Sequence, residues 1–185
     1  MSQSALVILH PGFEEMEAVA PIDILRRGEI SVTVASLSTE RLVTGKNSVS
    51  IQTDALLDEV LDNAFDMLVL PGGPGVNQGL RQDPRVQSMV QQQLAAGRKV
   101  AAICAAPLVL LDAGVLTGKA YTAHFTTENE LPGRDTTAAV VVDGQITTSQ
   151  GAGTATAFSL QVLAELTETS TAAKIAESIC LQAPQ

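Results

Sequence analysis

The side chains in this sequence best suited to covalent chemistry are two cysteines, two histidines and three glutamates close together near the start. Cys104 stands out by its setting, residues 98–112, RKVAAICAAPLVLLD. The apolar run 100–103 is short enough to be a buried strand. After Cys104 come two alanines, then Pro107 where a helix would start and Gly114 where it would stop. This predicts Cys104 at a tight strand-to-helix turn, at the carboxyl end of a buried strand, with its side chain lifted above the sheet as in the serine elbow. The free amides and dipole of a helix N-terminus favour negative charge. They should therefore favour thiolate, the nucleophilic form. The plainer reading is that a free cysteine packs as a small hydrophobe, so the other motifs have to decide.

Glu14, Glu15 and Glu17 follow Pro11-Gly12 and fall in the first turn of a predicted helix, where carboxylates suit the dipole. Any of them has a plain reading as a solvated surface acid. If Glu17 stands near the thiol as a protonated carboxyl, it can donate a hydrogen bond to the thiolate and favour it further. The residues alone leave open which of the three points inward. His124 is predicted at the end of a strand and His10 at the end of another. Either can be a structural histidine, and His124 can instead serve as acid or base beside the thiol. The turn at 71–75, PGGPG, is at least a sharp bend. It can also offer backbone N–H groups to an oxyanion, beside the amide that follows Cys104. Residues 151–153, GAG, precede a helix, but Thr156 occupies the third glycine position of a dinucleotide loop and little chain remains for a ribose-binding acid. That excludes a nicotinamide or flavin cofactor, and no phosphate-binding loop for nucleoside triphosphates is present. Cys180 reads as core or interface packing.

The elements that must position these groups alternate. Strands are predicted at 4–10, 30–37, 66–70, 100–103 and 119–123, with hairpins at 38–53 and 137–148, the second turning at Asp143-Gly144. Helices are predicted from Glu14 to Gly28, over 54–63, over 84–96, from Pro107, over 154–166 and over 170–181. In the first, Met16, Val19, Ala20, Ile24 and Leu25 supply an apolar face and Pro21 a kink. Strands alternating with helices imply a mostly parallel sheet covered on both faces. Ligand sites in such sheets lie beyond the carboxyl ends of the strands. The 71–75 turn, Cys104 and His124 all fall on that edge, and the first helix can bring Glu17 to it.

Composition bounds the answer. The 185 residues are 45% hydrophobic and 17% charged, which fits one globular domain. A net charge of −9 argues against nucleic acid and against an anionic membrane surface as partners. The start of the chain shows no signal-peptide pattern, and no apolar run reaches the roughly 18 residues that a membrane span needs. Two cysteines make neither a disulfide framework nor a zinc site. The expectation is a reduced, cytoplasmic chain without a metal.

The motifs ALVIL with PGFEEMEAV and PIDILRRG, then LVLPGG, AAICAAP and TSQGAGTA, together resemble the DJ-1/PfpI superfamily, in its DJ-1 and YajL-like (ThiJ-like) branch. The resemblance spans nearly the whole chain. It implies an α/β, flavodoxin-like three-layer sandwich with a mostly parallel central sheet and a nucleophile elbow. It also implies a homodimer that needs no metal or organic cofactor. Carried over, it makes Cys104 the reactive, oxidation-prone cysteine and Glu17 the protonated acid that hydrogen-bonds its sulfur. Gly73 and Ala105 would lend backbone amides, and His124 matches the nearby histidine. The implied activities are glyoxalase III-type conversion of methylglyoxal to lactate and deglycase action on glycated substrates. Redox sensing and chaperone-like protection through oxidation of Cys104 are the alternative. The peptidase branch carries His directly after the cysteine; Ala105 in that place argues against peptidase activity. His124 aligns the chain with DJ-1 itself rather than with YajL. The family's extra C-terminal helix is expected to be missing, which would leave the site more open.

Overall fold

The computed structural model describes residues 3–181. Four apolar strands form the middle of one sheet: β1 (Ser4–Leu9), β2 (Ser31–Ser36), β6 (Met67–Leu70) and β7 (Lys99–Ile103). Every residue of β1 from Ala5 to Leu9 is buried, as is all of β6. Continuous apolar runs of this kind belong to parallel strands covered on both faces. The short β5 (Ala55–Leu56) and the hairpin β8 (Val140–Asp143) and β9 (Ile146–Ser149) complete the sheet, in the order β5-β2-β1-β6-β7-β9-β8. All neighbours are parallel except β8, which pairs antiparallel with β9. A separate hairpin pairs β3 (Leu42–Thr44) with β4 (Ser50–Gln52).

Alternation along the strands divides the core in two. Leu6, Ile8, Leu68, Leu70, Val100 and Ala102 face the helices α2 (Pro84–Ala95) and α3 (Pro107–Asp112). Ala5, Val7, Val69, Ala101 and Ile103 face α1 (Glu15–Arg27) and α4 (Ala155–Leu166). A last helix, α5 (Thr169–Ser178), packs on α4. This is the expected flavodoxin-like α/β sandwich, in which strand order runs outward from β1 to β2 and then returns to β6, β7 and β9.

Several expected elements come out differently. Residues 54–63 form β5 and a 3₁₀ turn, Leu57–Glu59, rather than a helix. The Asp54 carboxylate accepts from the Val34 N–H at 2.8 Å and fixes this segment at the sheet edge, where Ala55 and Leu56 pair with Ala35 and Ser36. Residues 119–123 do not join the sheet; only a bridge from Thr122 to Asp135 forms. Side chains take the ladder's place there, since the Thr122 N–H donates to Thr148 Oγ1 and the Ala120 N–H to Asp143 Oδ2, each at 2.9 Å. Met16 and Val19 are exposed, and α1 buries Glu15, Glu17, Ala18 and Pro21 beside Ile24 and Leu25. Cys180 falls past the end of α5 and is exposed rather than part of the core.

Candidate active site

β1 and β6 are neighbours whose connections leave on opposite faces of the sheet, β1 into α1 and β6 toward α2. A crevice opens at the carboxyl ends of two such strands. The two departing loops are stitched together across it. The Glu14 N–H donates to the Gly72 carbonyl at 3.0 Å, and the Gly75 N–H to the Gly12 carbonyl at 3.1 Å. Gly73 has φ +102°, a value L side chains rarely adopt. A Cβ there would stand 2.5 Å from the Gly12 carbonyl oxygen.

Cys104 follows the last residue of β7 with φ +65°. A left-handed conformation in a non-glycine residue costs roughly 1–2 kcal/mol. It persists because the surroundings fix it: the Cys104 N–H donates to the Ser149 carbonyl at 3.0 Å, and the His124 N–H donates to the Cys104 carbonyl at 2.9 Å. The bend brings the sulfur within reach of the amides of Gly73 and Ala105 and of the Glu17 carboxyl. These are the residues singled out from the sequence, brought to one place.

All three glutamates are buried, each with its own task. Glu14 caps α1 by accepting from the Glu17 N–H at 2.9 Å. Glu15 holds the β3–β4 hairpin, accepting from the Asn47 N–H at 2.6 Å and from Asn47 Nδ2 at 3.0 Å. Burial works to raise the Glu15 carboxyl, but the backbone N–H groups of Glu15, Asn47 and Val49 together hold it below the usual carboxylate range. Glu17 reaches the sulfur, and its Oε2 accepts from the Gly72 N–H at 2.9 Å.

Burial, with the Glu14 charge adding to it, raises the Glu17 carboxyl to about 7. Burial likewise pushes the Cys104 thiol up to about 12, and the charge and hydrogen bond of Glu17 push the same way. The Gly73 and Ala105 amides pull it down without winning. This corrects the expected thiol lowered by a helix terminus: α3 starts only at Pro107 and has six residues, too remote and too short to outweigh a buried carboxylate neighbour. The two groups behave as one acid that gives up its protons in turn and holds a single shared proton between about 7 and about 12.

His124 sits beside this pair. Its Nδ1 accepts from the Thr126 N–H at 3.4 Å and lies 2.8 Å from Thr126 Oγ1. An accepting Nδ1 leaves the proton on Nε2. Burial lowers its pKa, and the charges of Lys46 and Arg134 lower it further, so the ring is neutral at pH 7. Its Nε2 is therefore a donor rather than a base. His10, the other histidine, binds the Pro11 carbonyl through Nδ1 at 2.9 Å and borders a different pocket, with Leu37 and Asp83.

Gly151 is the site residue that sequence reasoning missed. A Cβ at this position would stand 3.2 Å from His124 Cδ2, 3.7 Å from Glu17 Oε1 and 4.0 Å from Cys104 Sγ. The GAG motif keeps the floor of the site bare; in the sequence it shows as a failed match to a dinucleotide loop and as part of the family-like TSQGAGTA stretch, and neither signal gives Gly151 a role. Gly151 and His124 also line a cleft of about 400 Å³. Among the described residues no cluster of three or more His, Cys, Asp or Glu is arranged to hold a metal ion.

A strained cysteine in an elbow at the switch point of a parallel sheet, with a buried acid against its sulfur, defines a class of α/β proteins. The model of the DJ-1/PfpI family matches residues 3–165, and the chain belongs to that family. It is 42% identical to Protein dj-1beta of Drosophila melanogaster over 171 residues, 90% of each chain. It is 32% identical to the Caenorhabditis elegans protein named glutathione-independent glyoxalase DJR-1.2, over 97% of each chain. The crystal structure of Drosophila melanogaster DJ-1beta superposes with a TM-score of 0.95 at 38% identity, covering 99% of this chain and 100% of that one. With that structure covered in full, the expected loss of a C-terminal helix does not hold against it. No helix among the described residues is long and apolar enough to cross a membrane.

Proposed function

We propose that this protein is a cofactor-independent glyoxalase that converts methylglyoxal and related 2-oxo aldehydes to 2-hydroxy acids. The observation that carries the reading is the left-handed Cys104 with the buried Glu17 carboxyl against its sulfur and the Gly73 and Ala105 amides within reach. The name of the Caenorhabditis elegans relative supports it. Glu17 has the lower pKa, so the resting anion of the singly protonated pair is its carboxylate; passing the Cys104 proton to Glu17, a transfer that the Gly73 and Ala105 amides ease, gives the nucleophilic thiolate. Cys104 adds to the aldehyde carbon, forming the S–C bond, and Glu17 delivers its proton to the new alkoxide. Glu17, now a carboxylate, removes the proton from that carbon and returns it to the neighbouring carbon, while the hydroxyl proton passes to the neighbouring oxygen, leaving a thioester beside a hydroxyl. A carbonyl is thereby reduced and the aldehyde carbon oxidised within one molecule. Water then cleaves the resulting thioester, releasing the 2-hydroxy acid and restoring the thiol. His124 Nε2 donates to substrate oxygen, and the Gly73 and Ala105 amides stabilise developing oxygen charge.

The same chemistry allows deglycase action on early glycation adducts. A second reading, a redox sensor or chaperone-like protein, is favoured by the sulfur's place beside an open cleft, where peroxide can reach it and the same amides can hold sulfinate oxygens. Exposed Met16 and Val19, one helical turn apart on α1, support a homodimer packed through that helix. A cytoplasmic setting is part of the proposal, with no nucleic acid or membrane as partner. Lactate formation from methylglyoxal by wild type, Cys104→Ser and Glu17→Gln tests the mechanism; equal rates in all three would eliminate it.

A further inference from the structure

Two arginines show how differently this chain treats a guanidinium. Arg81 is saturated: its donors meet Asp112 at 2.6 and 3.0 Å and Glu130 at 3.0 and 2.7 Å. Arg134 is more deeply buried, its side chain only 10% exposed against 19% for Arg81. Yet among the described residues its buried Nε has no hydrogen-bond acceptor. Its ion pair with Glu128 is loose, at 3.9 Å, and that carboxylate is 74% exposed. A buried guanidinium N–H left without an acceptor is costly, and Arg98 Nε is the other such group among the described residues. Arg134 lines the cleft of about 400 Å³ together with His124, Thr136, Gln150 and Gly151. Gly151 also borders the sulfur, so the cleft continues the site away from Cys104. Lys46 adds a second positive charge that acts on both His124 and Glu17. Lys46 is itself paired with Glu14 at 4.0 Å, so Arg134 is the one charged side chain among the residues that line the cleft. A guanidinium matches a carboxylate with two parallel hydrogen bonds.

We propose that Arg134 is a specificity-determining residue that binds a carboxylate at the far end of a 2-oxo aldehyde whose aldehyde carbon meets Cys104. The inference rests on the glyoxalase reading for its chemistry, but the carboxylate subsite has its own test. A fitting probe is 4,5-dioxopentanoate, which is methylglyoxal extended at its methyl group by CH₂COO⁻. With one water it gives 2-hydroxyglutarate, so the atoms balance without an outside oxidant. The neutral control is the corresponding amide.

The measured quantity is the ratio of kcat/KM for acid over amide, in which any general loss of activity cancels. Wild type should favour the acid by about tenfold or more. Arg134→Gln should bring the ratio near one through KM, and Arg134→Lys should keep part of it. A wild-type ratio near one, or a ratio unchanged in Arg134→Gln, overturns the proposal. A second arm needs no turnover: 4-oxopentanoate, which lacks the aldehyde, should slow alkylation of Cys104 by iodoacetamide in wild type but not in Arg134→Gln. Such protection without turnover of any dioxo compound keeps the subsite and sinks the glyoxalase reading. Turnover of methylglyoxal with neither acid preference nor protection does the reverse.

Discussion

The Gly72 N–H donates to Glu17 Oε2 at 2.9 Å, joining the turn after β6 to the helix after β1 across the switch point. The approach is possible because Gly72 has no side chain. A Cβ there would lie 2.5 Å from both Glu17 Oε2 and the Cys104 Cβ, and 2.9 Å from the Ile103 carbonyl oxygen. Two of these neighbours are fixed by the elbow, so they cannot move aside cheaply. Gly72→Ala should cost about 1–3 kcal/mol of stability by overpacking. It should also separate Glu17 from the sulfur, so that lactate formation falls further than the urea midpoint suggests. A stable variant with full turnover would show that the close approach is unnecessary.

Glu17 should make stability depend on pH in an unusual direction. Its carboxyl is raised to about 7 in the folded chain, against 4.5 ordinarily, so the folded state holds this proton more tightly than the unfolded one. The resulting stabilisation is complete below about 4.5 and is lost as pH rises through about 7. Wild type should therefore lose on the order of 3 kcal/mol relative to Glu17→Gln across that window. Urea unfolding of both proteins at pH 4.5, 6 and 7.5 isolates the effect, because other carboxylates contribute equally to each. A constant difference between the two proteins would contradict the raised value.

Glu15 provides a control one residue away from Glu14 and two from Glu17. It binds Asn47 rather than the sulfur. Glu15→Ala should strand the Asn47 and Val49 amides and cost about 1–3 kcal/mol. Hydrogen exchange should then quicken at Asn47 and Val49 while Cys104 alkylation changes much less than in Glu17→Gln. Equal effects of the two substitutions on alkylation would remove the distinction drawn between these acids.

Most of this arrangement was readable where local pattern and tertiary role agree. The buried runs of β1, β6 and β7, the Asp143-Gly144 turn and the Pro-to-Gly brackets of α2 and α3 carry their own signals. Cys104, Glu17 and the Gly73 turn followed from being placed on one sheet edge and from family resemblance. What failed depended on distant partners. Residues 54–63 look helical until the Asp54 carboxylate finds Val34, and residues 119–123 look like a strand until Thr148 and Asp143 take their amides. Met16 and Val19 look like core by type, but α1 gives its inner face to Glu15 and Glu17, which no apolar period can announce. The thiol's direction is not legible in the sequence, because burial and a neighbouring carboxylate act on it through space. Arg134 had no local signal at all.

The exposed pair on α1 leads to a test of assembly. Met16 is 58% and Val19 45% exposed, beside a groove of about 290 Å³ that includes Ile22 and Ile51. An apolar strip of this kind is what a second copy would cover. Wild type should sediment as a dimer, and Val19→Asp should shift it to monomer by placing a charge in the contact. A monomeric wild type, or a Val19→Asp protein that remains dimeric, would move the interface elsewhere or remove it.

The shared proton fixes the pH course of the reaction. Below about 7 both Glu17 and Cys104 are protonated, and the thiol is a poor nucleophile. As pH rises through about 7 the pair loses its first proton and reaches the form with one anion and one acid, the form that can both attack the aldehyde and protonate the product of attack. Lactate formation should therefore climb about tenfold per pH unit below about 7 and level off above it. Alkylation of Cys104 by iodoacetamide should follow the same curve if the amides of Gly73 and Ala105 place the anion on sulfur. If Glu17 instead takes the anion, alkylation would stay slow at pH 8 to 10 and rise only toward about 12, where the thiol itself ionises. Glu17→Gln separates the cases. It removes the charge and hydrogen bond that raise the thiol, so alkylation of this variant should titrate below about 12 as a single step, while lactate formation is lost for want of a proton carrier. Retained turnover in Glu17→Gln would assign the proton transfer to another group.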